Sequence, residues 1–243
     1  MAMQGEGMHQ HLVVAALALC LAAAVQTLTG AGFGLTAAPP LLIAAPALVP
    51  DTLLWLSLAV TGYSVWADRQ SLDWRFARVC TCAAVPGIAA GLAATAVVPG
   101  GLLGTAIAVA VIVAGAAGLA GVRVPITTTS TRVAGFTAGA LNWVAALPGP
   151  PVTLVYRAGE AATVRATLSA VFFAVSAVTL AMRYGMGQAD SSAALRAAEL
   201  AGAVLLGAAV SRPVGTRVSS TAVSRAALAL STAAGVVLLV RML

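Results

Sequence analysis

Of 243 residues, 60% are hydrophobic and 8% charged, which leaves too little polar surface to coat a water-soluble fold; the chain reads as an integral membrane protein. Its formal charge of +6 rests on thirteen arginines, with no lysine, spread between apolar segments rather than gathered on one stripe. That spread argues against nucleic acid as a partner and marks the arginines as charge that sets topology in a lipid bilayer.

The apolar segments are rich in Ala, Leu and Val at helical lengths, without trains of alternating residues, so helices are expected rather than a β-barrel. Charges and helix breakers divide the chain into eight blocks: A (11–49), B (52–67), C (74–98), D (101–122), A′ (131–157), B′ (163–187), C′ (194–211) and D′ (220–242). A single transmembrane domain over 1–243 is expected, with a first repeat at 11–122 and a second at 131–242. His9 and His11 precede block A and read as interfacial. The first apolar run begins near His11 without a basic leader, so no cleavable signal peptide is expected. Cys20, Cys80 and Cys82 lack a His or Cys partner at ligand spacing and read as small buried hydrophobes, so neither a metal nor another cofactor is expected.

Block A contains QTLTGAGFGLTAAPP, residues 26–40, where three glycines fall within five residues and two prolines follow. Sliding A′ over A places Asn142 on Gln26, Ala146 on Gly30, Pro148 on Gly32 and Pro150 on Gly34. Each half thus opens with an apolar run, carries an amide, breaks at Gly or Pro and resumes apolar. Such interrupted segments in corresponding positions mark substrate sites in transporters. The small-residue runs GIAAG from Gly87, GLLG from Gly101 and GFTAG from Gly135 read as close helix packing.

At these residues the sequence resembles the sulfite exporter TauE/SafE family of membrane permeases. The resemblance rests on GAGFGLTAAPPLL in the first half, SLDWRFA at Ser71–Ala77 followed by VPGIAAGLAA, ALPGPPVTLVY in the second half, and VRATLSA at Val164–Ala170. The chain departs from the family pattern at Phe33, Ala146 and Pro148, where the family has glycine. The resemblance implies two four-segment repeats and a sulfite or organosulfonate substrate. It also implies a role for Arg165, which aligns with an arginine just past the second break and stands either on the anion's path or at the cytoplasmic edge.

The arginines decide between two topologies. If every block crosses once, eight arginines share one side and five the other. If A and A′ each enter, break and return, ten share one side and only Arg183, Arg196 and Arg241 lie opposite, which suits the positive-inside rule better. The expected fold is therefore an all-α polytopic membrane protein of two inverted four-segment repeats, each opening with a Gly/Pro-broken helix. Both termini lie outside and the B–C loop lies in the cytoplasm.

In hydrocarbon an interrupted backbone survives only where protein covers it or it lines a polar cavity. A helix resuming after such a break presents free N–H groups and its positive dipole end, which suits an oxyanion. Pro39, Pro40, Pro150 and Pro151 are expected in first helical turns, where no N–H is needed. The expected anion path is lined by Gln26, Thr29, Gly30, Gly32, Gly34 and Thr36 from the first half, and by Asn142, Pro148, Gly149, Pro150 and Arg165 from the second. Asp51 is expected as a helix N-cap, and Glu160 in a surface pair with Arg157 or Arg165. Asp73, Trp74 and Arg75 are expected to anchor block C at the interface.

A P-loop is impossible without lysine, and HExxH and CxxC motifs are absent, so a non-enzymatic secondary transporter of a small anion in the inner (plasma) membrane is expected. Its coupling ion is left open, since no intramembrane acid or histidine is placed to carry a proton, and no oligomeric state follows from the sequence. A non-transporting assembly subunit is the alternative, and a membrane-embedded enzyme a more distant one.

Overall fold

The computed structural model describes residues 2–122, 124–156, 160–215 and part of the segment 225–240. The described residues form helices α1 (Ala2–Thr29), α2 (Phe33–Ala44), α3 (Asp51–Asp68), α4 (Trp74–Val97), α5 (Gly100–Leu119), α6 (Thr128–Ala145), α7 (Gly149–Val155), α8 (Ala161–Gly185) and α9 (Ala193–Gly215), with no strand among them. Short 3-10 turns follow α2 at Pro46–Leu48 and α3 at Arg69–Ser71. Block D′ lies largely outside the described residues, and those described within it are helical.

Local chemistry sets several helix ends. Asp73 caps α4 by accepting the Phe76 N–H, and Thr127 with Ser130 forms a reciprocal capping box at the start of α6. Gly121, at φ 72°, turns the chain out of α5.

Among the described residues, four helical stretches are long and apolar enough to cross a bilayer: Trp74–Val97, Gly100–Leu119, Ala161–Gly185 and Ala193–Ser211. Helices α3 and α6, with 18 residues each, fall outside that set. Burial explains α3. It packs on α8 and α9 and buries Thr52, Ser57, Thr61 and Ser64, side chains that meet protein and so need not be apolar. Two of those hydroxyls return to their own helix, Thr61 to Ser57 O at 2.6 Å and Ser64 to Val60 O at 2.9 Å.

Packing follows the same pattern in both halves of the chain. Helix α1 lies on α9 and α6 lies on α4, while α3 and α8 pack on each other at the centre; α3 also meets α9, and α8 meets α4. Two apolar cores result. One joins α1, α2, α3 and α9 around Leu19, Leu41, Leu53 and Leu54; the other joins α4, α6, α7 and α8 around Ile88, Trp143, Val152 and Val171.

The α4–α6 seam is made of small residues. A methyl group at Gly87 would collide with the Phe136 backbone, one at Gly135 with Cys80 O, and one at Gly139 with Ala84 O. Between the ends of the seam the partner of Cys80 is Gly135 and that of Gly91 is Ala140, so the two helices run parallel and GIAAG and GFTAG mediate their contact. Gly101 does not pack in this way: it is exposed in the first turn of α5, and nothing lies within 4 Å of the place a Cβ would take. The glycine there starts a helix, not a seam.

Helices α3 and α8 run antiparallel, as three contacts along their length show. Asp51 at the start of α3 pairs with Arg183 in the last turn of α8, Gly62 meets the Phe173 ring, and Asp68 at the end of α3 pairs with Arg165 near the start of α8 at 2.9 Å. The two aspartates are about 25 Å apart along the helix, close to the ~30 Å of a hydrocarbon core.

Candidate functional site

The chain between α1 and α2 and the chain between α6 and α7 are built alike. Shifted by 116 residues, Thr29 falls on Ala145 and Phe33 on Gly149, so both helix ends, both helix starts and the three intervening residues coincide. Gly30 (φ 77°) and Ala146 (φ 55°) each turn left-handed, and each donates its N–H to the carbonyl of the amide residue four before it: Gly30 to Gln26 O at 2.7 Å, Ala146 to Asn142 O at 3.0 Å. A methyl group at Gly30 would collide with the Arg165 backbone, so only glycine fits there.

The amides differ in what they do next. Gln26, 1% exposed, spans its helix end: Nε2 donates to Gly30 O at 2.7 Å and to the Ser169 hydroxyl at 3.3 Å, while Oε1 accepts the Phe33 N–H at 3.2 Å. It therefore satisfies groups orphaned on both sides of the turn. The Thr29 hydroxyl lies 2.8 Å from Val25 O and 2.6 Å from Ala31 O, and accepts the Ala31 N–H at 3.3 Å. Asn142, fully buried, donates from Nδ2 to the Thr179 hydroxyl at 2.9 Å. Its Oδ1 has no partner among the described residues, and neither has the buried Thr36 hydroxyl.

The two helix ends touch. A methyl group at Gly34, in the first turn of α2, would lie 2.5 Å from Ala146 O and 3.3 Å from the Leu147 side chain. Gly149 faces the Phe172 ring near the middle of α8, between the two ion pairs. Gly32 and Gly34 are half-buried, whereas Pro148, Gly149 and Pro150 are buried. The N–H groups of Gly34 and Leu35 at the start of α2, and of Gly149 at the start of α7, have no hydrogen-bond partner among the described residues. Helix α2, at 12 residues or ~18 Å, and α7, at 7 residues or ~10 Å, are each too short to cross a bilayer alone.

The structure departs from several sequence expectations. Pro150 and Pro151 do stand in the first turn of α7, but Pro39 and Pro40 lie in the interior of α2, where they leave Leu35 O and Thr36 O without the usual N–H donors. The helix begins earlier because Gln26 supplies the acceptor its first N–H needs. Asp51 is not an N-cap. It is the first residue of α3, and its carboxylate accepts from Arg183 and, at 2.9 Å, from the Asp190 N–H. Arg165 pairs with Asp68 rather than with Glu160, which is exposed and makes no capping bond. Arg157 lies outside the described residues.

Asp73 does more than anchor α4: its Oδ2 also accepts from the Tyr156 hydroxyl at 3.3 Å, and its N–H donates to the Thr167 hydroxyl at 3.0 Å. Trp74 and Arg75 beside it are exposed. Asp68, Tyr156, Ser169 and Thr179 are the site neighbours that sequence reasoning missed. The one signal for the last two was the series of hydroxyl residues between the two arginines of α8.

A helical bundle with several membrane-length apolar helices, and a core in which paired helix ends meet, defines a multi-pass membrane protein. Its kind follows from comparison with known families. The chain belongs to the sulfite exporter TauE/SafE family, whose sequence profile matches residues 15–238. No curated protein and no solved structure matched the chain. The family implies a membrane transporter of sulfite or related sulfur anions, not an enzyme, whose partners are a small anion and the lipid bilayer.

Proposed function

We propose that the chain moves a small sulfur oxyanion or organosulfonate across the inner (plasma) membrane as a secondary transporter, with the anion held between the two helix ends at mid-depth. The abutment of Gly34 on Ala146 carries this reading, because it brings the positive end of α2 to the turn that closes α6. The N–H groups of Gly34 and Gly149 and the Thr36 hydroxyl contact the anion. Gln26, Thr29, Gly30, Gly32, Asn142, Pro148 and Pro150 form the walls, and Arg165, whose backbone lies against Gly30 and whose side chain is joined to Asp68, closes the site toward the cytoplasmic edge.

The halves are inverted repeats in this reading. The antiparallel run of α3 and α8, which hold equivalent places in the two halves, supports it, as does the 116-residue match of the helix ends. Inversion places the Asp68–Arg165 pair on the cytoplasmic side with the B–C loop, and the Asp51–Arg183 pair outside. Purified protein in vesicles should carry sulfite or a sulfonate faster than protein-free vesicles, in a panel of oxyanions with and without a pH gradient. No flux of any sulfur anion would leave the assembly-subunit reading standing.

A further inference from the structure

The side-chain oxygen of Asn142 points to a second ligand. The Thr179 hydroxyl gives its proton to Val175 O at 2.8 Å, so toward Asn142 it can only accept, and the atom 2.9 Å from it must be Nδ2. Turning the amide over would set two acceptors against each other. Asn142 Oδ1 is thus a fully buried acceptor with no donor among the described residues. Ser176, one turn before Thr179 and on the same face of α8, is also fully buried with an unpartnered hydroxyl.

Helix α6 ends at the same place. Ala146 and Leu147 close onto the carbonyls of Asn142 and Leu141, which leaves the carbonyls of Trp143, Val144 and Ala145 beyond the reach of the helix's own N–H groups. The negative pole of the 18-residue helix thus lies within one turn of Asn142.

We propose that this corner between α6 and α8 binds a dehydrated monovalent alkali cation, sodium, through Asn142 Oδ1, the Ser176 hydroxyl and carbonyls at the end of α6. Every group offered is a neutral, hard oxygen. A divalent ion would call for carboxylates, and a proton would need a titratable side chain, which the corner does not contain. The Arg183 guanidinium lies 5.0 Å from the Trp143 ring, next to Asn142 in the chain, and its charge is matched by Asp51.

The corner adjoins the proposed anion site, since Ala146 O lies against Gly34. A cation there offsets the charge of an anion bound at the start of α2, so the two travel together; that coupling rests on the proposed function, whereas the cation site does not.

Thermal unfolding of the purified protein without any sulfur anion tests the cation site directly. Sodium chloride should raise Tm in a saturable way, with choline chloride at equal ionic strength giving no such rise. Ser176→Ala should weaken the sodium effect by about tenfold, the loss of roughly one ligand's worth of binding. Asn142→Leu should abolish it, and Asn142→Asp should keep or strengthen it. Equal shifts in sodium and choline, or an undiminished sodium shift in both Ser176→Ala and Asn142→Leu, would overturn the proposal and leave a buried water as the occupant. If Asn142→Leu does not fold, Ser176→Ala and Asn142→Asp decide. In vesicles an inward sodium gradient should speed anion flux; a sodium-dependent Tm with no flux would uphold the cation site and count against the transport reading.

Discussion

Gly30 and Ala146 perform the same turn, 116 residues apart, but only one of them has the residue suited to it. A left-handed alanine is strained by about 1–2 kcal/mol relative to glycine. Ala146→Gly should therefore stabilise the folded protein by up to about 1 kcal/mol once the added freedom of the unfolded chain is subtracted. Gly30→Ala should destabilise it strongly, because a methyl there meets the Arg165 backbone. Thermal unfolding in detergent reads both, and a less stable Ala146→Gly would contradict the account of the turn.

The two α3–α8 ion pairs should differ in weight. Asp51 is nearly buried and also holds the Asp190 N–H, whereas the Asp68–Arg165 pair is about a quarter exposed. Asp51→Asn should cost on the order of 2 kcal/mol and Asp68→Asn under about 1 kcal/mol, after discounting for solvent screening. The double variant Asp51→Asn/Arg183→Gln should recover part of the loss, since no unpaired charge then remains. Additive losses in that double-mutant cycle would mean that the pair is not coupled.

Gly149→Cys is the better probe of access to the helix ends. A side chain at Gly149 has room, with Phe172 at 3.9 Å, whereas one at Gly34 would press on Ala146 O. In a cysteine-free background the new thiol should react with small water-soluble reagents, and sulfite should slow the reaction. Complete inertness would describe a sealed interior.

An activity reporter fused after Leu243 should work on the periplasmic side. The prediction follows from the proposed inversion of the halves and the ten-to-three arginine split. Cytoplasmic activity would mean that each block crosses once.

The loop after α8 carries the clearest pH dependence. Asp190 is held below the usual carboxylate range, first by the Ser192 hydroxyl and N–H and then by Arg196. Its contribution is present above the ordinary carboxylate pKa, about 4, and is lost as pH falls through the depressed value. Asp190→Asn should thus lower Tm at neutral pH, with the difference from wild type closing in acid. A constant difference across that range would exclude the carboxylate as its source.

What the sequence made legible was local. Gly30, Gly32, Pro148 and Pro150 carry their own backbone restrictions, so the ends of α1 and α6 can be read from them, and the small residues of α4 and α6 announce close packing. What it hid was relational. Arg165 and Asp68 are 97 residues apart and Arg183 and Asp51 are 132 apart, and nothing near any of them says which acid meets which base. Gln26 looked like a ligand because its bonds to Gly30 and Phe33 exist only once the turn has formed. Helix α3 looked like any other span, yet its hydroxyls are tolerated because α8 and α9 cover them.

Helix α3 ends in aspartate at both tips, and α8 holds an arginine near each of its own. Two copies of the first half alone would bring acid against acid at the central contact, and two copies of the second half would bring base against base. The halves have thus become complementary parts, so a chain severed in the connection between α5 and α6 should reassemble only as a mixed pair.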